Sequence, residues 1–149
     1  MVTFKTKNYE ATLGYFGFFD LRAKIAGLIS PELEELYKEY CVRGLPSYSH
    51  EEYALENKRI KEQYETKVNE ICKNPNYEKV FDFLYMSDCD GKIGVRYCKA
   101  IYKVIKGYEG NDDYEGCHDI YDPDIPFTFN TFKEIIKDGI DSKKGVKWY

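Results

Sequence analysis

The sequence has no apolar run approaching the roughly 18 consecutive residues of a membrane helix, so no membrane partner is expected. Its first residues, Met1-Val2-Thr3-Phe4-Lys5-Thr6-Lys7, lack the apolar stretch and small-residue cleavage site of a secretory leader. The expected location is the cytoplasm. The five cysteines (Cys41, Cys72, Cys89, Cys98 and Cys117) are odd in number and form no CxxC pair. That argues against a disulfide scaffold and for reduced thiols packed as small apolar groups. Gly-x-Ser-x-Gly, the P-loop, His-Glu-x-x-His and Gly-x-Gly-x-x-Gly are all missing, so nothing selects an enzyme class or calls for a cofactor. Basic charge is also short. With 26 acids against 22 bases, a net charge of −4 and a pI near 5.3, an electrostatic grip on nucleic acid is not expected.

What is present suits a soluble globular chain. Of 149 residues, 43% are hydrophobic and 32% charged, enough to build one core and too few residues for two, giving a single domain over 1–149. Fifteen tyrosines and nine phenylalanines imply a core built from rings. Each tyrosine hydroxyl needs a polar exit, which favours half-buried positions and pocket rims.

Hydrophobic period divides the chain. Val2, Phe4 and Thr6 alternate with polar residues, the pattern of a strand with one buried face. From Phe18 the period becomes helical, with Leu21, Ile25, Leu28 and Ile29 on one face. Ser30-Pro31 opens a second helix, and Ser49-His50-Glu51-Glu52 reads as a capping box before a long polar helix to about Cys72. Asn74-Pro75-Asn76 breaks the chain before a helix from Tyr77 to Tyr85. Further helices carry Val95–Ile105 and, from near Asn130 or Thr131, Phe132–Ile140. Val146–Tyr149 reads as a last strand, pairing with Val2–Thr6. The expected class is mostly α, a single helical domain with minor β at the termini.

Three segments hold candidate chemistry. Asp88-Cys89-Asp90-Gly91-Lys92-Ile93, between two helices, has the centre of a calcium loop: two carboxylates, a glycine for the turn and an apolar anchor. With Gly91 at the sixth position, Met86 and Tyr97 fall at the first and twelfth, where carboxylates belong. The expectation is a degenerate EF-hand-like helix-loop-helix, not a calcium site. In Tyr15-Phe16-Gly17-Phe18-Phe19-Asp20-Leu21-Arg22, rings surround a glycine at a helix entry, offering stacking faces and an arginine one turn inside. Arg22 either contacts a ligand or pairs with Asp88 or Asp90 as a structural ion pair. The third segment, residues 108–128, carries Glu109, Asp112, Asp113, Glu115, Asp119, Asp122 and Asp124 with no Lys or Arg, and reads as a long functional loop. His50 reads as surface; His118, in that loop, could join Asp88 and Asp90 at a metal, although no recognised ligand spacing supports it.

Gly14-Tyr15-Phe16-Gly17-Phe18 with Leu21-Arg22, the central Ser87-Asp88-Cys89-Asp90-Gly91-Lys92-Ile93 followed by Cys98, and a closing helix with an aromatic end at Trp148 resemble a family of small uncharacterised bacterial and prophage proteins. That family carries histidine where Met86 stands and acids where Gly94-Val95-Arg96-Tyr97 stand. The resemblance implies a shared fold and a phage-like context, and no activity. Together these readings favour a non-enzymatic binding protein whose site is Tyr15, Phe16, Phe19, Arg22, Asp88 and Asp90, holding a small nucleotide-like or polar ligand. Two alternatives stand beside it: a protein-interaction module presenting loop 109–124 to a host protein, and a metal-binding protein or metal-dependent hydrolase using Asp88, Asp90 and His118.

Overall fold

The computed structural model describes residues 1–43, 54–110 and 127–149. The capping box at Ser49–Glu52 with His50, the pair Cys117-His118 and most of the acidic loop lie outside the described residues. In the rest, ten elements run in the order β1 (Val2–Lys5), β2 (Glu10–Leu13), α1 (Tyr15–Ile29), α2 (Pro31–Arg43), α3 (Ala54–Ile71), α4 (Pro75–Tyr85), β3 (Gly91–Ile93), α5 (Val95–Ile105), α6 (Phe129–Asp141) and β4 (Val146–Trp148). The chain is mostly helical, with one small antiparallel sheet formed largely by its termini. No helix among the described residues is long and apolar enough to cross a membrane.

The sheet runs β2-β1-β4-β3, and the first and last strands pair directly, Phe4 opposite Trp148 and Lys5 opposite Lys147. Alternation sorts its two faces. Val2, Phe4, Leu13, Ile93, Val146 and Trp148 point into the core, while Lys5, Glu10, Lys92 and Lys147 stand in solvent. The helices cover the apolar face. Asn74-Pro75, a break in the sequence pattern, is here a helix start: the Asn74 side chain accepts from Asn76 N at 3.1 Å, and Pro75 takes the first helical position, where its missing N–H costs nothing. At α6 the Thr128 hydroxyl and Thr131 cap each other's backbone, so the helix starts one to two residues before its apolar stripe suggests.

The core is built of rings. Trp148 lies 5.6 Å edge-on from Phe83, 5.9 Å from Phe4 and 6.2 Å from Phe18, joining the sheet to α1 and α4. Its indole N–H donates to the Ser87 carbonyl at 2.9 Å, so the buried polar atom is satisfied. Gly91 serves this ring. It does not occupy the left-handed region that a calcium loop's sixth residue uses, and a Cβ placed on it would fall inside the Trp148 indole. The glycine of the Asp-x-Asp-Gly motif therefore makes room for a side chain.

Gly91→Ala should accordingly cost about 1–3 kcal/mol, the range for overpacking a filled core. Urea unfolding followed by the fluorescence of the single tryptophan measures it, and the native emission should shift as the indole is displaced.

Candidate functional site

The site grows from the end of α4. A helix terminates with carbonyls that have no partner of their own and with partial negative charge. Here three side chains from three other elements serve carbonyls in and just past its last turn. The Tyr37 hydroxyl of α2 donates to Leu84 O at 3.1 Å. Arg22 of α1 donates from Nη1 to Met86 O at 2.8 Å, with Nη2 reaching Ser87 O at 3.5 Å. Trp148 of β4 takes Ser87 O from the other side.

Arg22 is only 6% exposed, and no carboxylate among the described residues pairs with it. The ion pair expected with Asp88 or Asp90 does not form. The Met86 and Ser87 carbonyls just past α4 take the carboxylate's place, and the Phe18 ring, its centroid 3.8 Å from the guanidinium carbon, adds a cation–π face. Burial lowers the Arg22 pKa from its ordinary value, while Tyr37 and Asp88 push it back up. One of its three nitrogens is left over: Nε is buried and has no hydrogen-bond partner among the described residues. Leaving a charged donor unmet costs more than leaving a neutral one, so such a group marks a place to look for a missing partner.

Arg22 also lines a crevice of about 240 Å³, together with Tyr15, Phe18, Phe19, Tyr37, Cys41, Leu84, Tyr85, Met86 and Asp88. The segment at the start of α1 and the loop after α4 thus meet across one cavity. Phe19 packs on Tyr37 with ring centroids 5.9 Å apart, and Tyr15 stands exposed at the rim. The nearby Cys89, burial and Asp88 raise the Tyr15 hydroxyl above its ordinary pKa. Two expected residues stand elsewhere. Phe16 is 82% exposed and off the lining, because Gly17 and Phe18, not Phe16, fall on the inward face of α1. Asp90 also lies outside the lining and takes a 3.5 Å hydrogen bond from the Ser87 hydroxyl.

The floor was not legible in the sequence motif. Tyr37, Cys41, Leu84 and Tyr85 come from α2 and α4, and the sequence marked them as members of helices or as a packed thiol, not as site residues. Behind them Tyr85 donates to the Tyr64 hydroxyl at 2.9 Å, and Tyr64 stacks on Tyr40 at 4.4 Å. Burial raises the pKa of Tyr37 and Tyr64 well above the phenol range, and burial likewise pushes up the Cys41 thiol. These groups are neutral donors and poor nucleophiles at neutral pH. Among the described residues no group of three or more His, Cys, Asp or Glu is placed to hold a metal, and His118 lies outside them.

Compared with known proteins, the chain matches no family model, no curated protein and no solved structure.

Because the folded chain holds Tyr37 neutral, that group's contribution to stability is present below its unfolded pKa of about 10 and is lost as pH rises beyond it. Chemical unfolding at stepped pH should show the decline above pH 10 becoming shallower in Tyr37→Phe. The same variant should cost about 0.5–1.5 kcal/mol at neutral pH through the orphaned Leu84 carbonyl.

Proposed function

We propose that the chain is a non-enzymatic binding protein that holds a small, polar, nucleotide-like ligand between the start of α1 and the loop after α4. The reading is carried by Arg22: a buried guanidinium with an unmet Nε–H, lining the same crevice as Asp88. A cation and a carboxylate on one cavity suit a ligand that bears both an anionic group and a hydrogen-bond donor. The rings of Tyr15 and Phe19 supply flat faces for a heterocycle. At about 240 Å³ the crevice is smaller than the usual range of roughly 300–1,000 Å³, so it suits one charged head and one small ring better than two linked nucleotides.

Binding without turnover fits the half-buried Cys41 thiol and the buried Tyr37 hydroxyl of the lining, both held neutral. In the phage-like context that the sequence resemblance implies, sequestering a small host signalling molecule is a use that needs no catalytic group. The competing interaction reading rests on loop 109–124, of which only Glu109 and Gly110 are described.

Thermal-shift and calorimetric titration against nucleoside mono- and diphosphates, free bases and inorganic phosphate tests the proposal. At least one nucleoside phosphate should raise the melting temperature of the native chain. Arg22→Met should abolish that shift and, by orphaning the Met86 carbonyl, lower the melting temperature of the free protein. Asp88→Asn, at an exposed position of the same lining, should weaken the shift while leaving the free protein's melting temperature unchanged. No response to any member, or an undiminished response in Arg22→Met, contradicts the reading.

A further inference from the structure

The open face of the sheet carries a second feature, unrelated to the crevice. In register across three neighbouring strands stand Lys5 of β1, Lys147 of β4 and Lys92 of β3, Lys147 being directly opposite both others. Lys7 and Lys144 flank the row. With Thr6, Gly145 and Val146 the five lysines line a shallow depression of about 630 Å³. All five are exposed, and none makes an ion pair among the described residues.

Directly opposed like charges destabilise a strand pair, and alternation of sign is the ordinary remedy. Here the sign does not alternate across β1, β4 and β3. Two carboxylates border the face without forming an ion pair with it, Asp138 being within electrostatic reach of Lys7. Glu10, opposite Lys5 on β2, accepts from the Tyr149 hydroxyl at 3.5 Å, and Asp138 accepts from the Asn8 backbone and side chain at 3.0 and 2.7 Å. The row is fixed from below by Gly145, whose φ of +73° turns the chain into β4 and whose Cβ would collide with the Ile93 carbonyl.

The overall charge of −4 conceals this face. Seven of the 26 acids lie within residues 109–124, where there is no Lys or Arg, leaving 19 acids against all 22 bases in the rest of the chain. The average that argued against nucleic acid is therefore the sum of two segregated charges.

We propose that the lysine face docks on the phosphate backbone of duplex nucleic acid, without regard to sequence. Strands lie about 4.8 Å apart, so the three central ammonium groups span about 10 Å. One strand of a duplex presents a phosphate about every 3.4 Å along the axis, enough to meet all three. Counting all charges, a duplex carries one per about 1.7 Å of its axis, twice the one per about 3.3 Å that a fully acidic extended peptide can offer. The lining has no aromatic ring on which unpaired bases would stack and no arginine fork to read a base edge. Point charges alone fit a ligand whose bases are already paired.

Fluorescence anisotropy with a labelled 20-base-pair DNA duplex, measured from 25 to 200 mM salt, tests this. The expected plot of log affinity against log salt has a slope of about −3, and Lys92→Gln with Lys147→Gln should bring it to about −1. Arg22→Met should bind the duplex as the native chain does, which separates this site from the crevice. Circular dichroism melts of the lysine variants, whose changes are on the surface, guard against misfolding. Absent binding at 25 mM salt, or a slope unchanged by the lysine variants, overturns the proposal. So does tighter binding of single-stranded DNA or of a polyglutamate peptide than of the duplex. Salt-sensitive self-association in sedimentation that the variants abolish would also overturn it, assigning the face to a second copy of the chain.

Discussion

The arrangement depends on how the end of α4 is captured. A helix end inside a protein exposes carbonyls that must be satisfied, and here α1, α2 and the last strand each send one donor to it: Arg22, Tyr37 and Trp148. The same three contacts tie together elements far apart in sequence. Arg22 is the hydrogen-bonded link between α1 and the loop carrying Asp88, whose far end is fixed by the pairing of β3 with β4. The crevice is the space left where the guanidinium, longer than a neutral capping side chain, reaches past the rings to the carbonyls.

This explains how a charge is buried without a carboxylate. Burying an isolated cation is costly, and pairing is the usual answer. Arg22 instead draws on the Met86 and Ser87 carbonyls that follow α4 and on the face of Phe18, which together leave the fork incompletely used. The incomplete solution preserves a donor, and the donor makes the crevice a candidate site.

The helices α5 and α6 and the pairing of the two termini were legible in the sequence, because Cys98-Ile101-Ile105, Phe132-Ile135-Ile136 and the alternation at Val2–Phe4 and Val146–Trp148 repeat often enough to show a period. β3 was not: three residues, Gly91-Lys92-Ile93, cannot display alternation, and they became a strand by pairing with β4. β2 was hidden because Glu10, Ala11 and Thr12 are only partly covered at the sheet edge. At the site, the meeting of the Tyr15–Arg22 segment with Asp88 followed from the residue types, whereas the partner of Arg22 did not. A motif names side chains, and the acceptors that matter are backbone carbonyls whose position only the end of α4 fixes. The lysine face was invisible for the related reason that Lys92 and Lys147 become neighbours through the fold.

The most direct test is to observe the Arg22 Nε–H itself by heteronuclear NMR of protein labelled at arginine side chains, while a nucleoside monophosphate is added. The account predicts that this one resonance moves and exchanges more slowly as ligand fills the crevice, with the Trp148 indole N–H keeping its bonded position. A Nε–H signal that stays unchanged through saturation, or that moves only when the whole spectrum does, would contradict it.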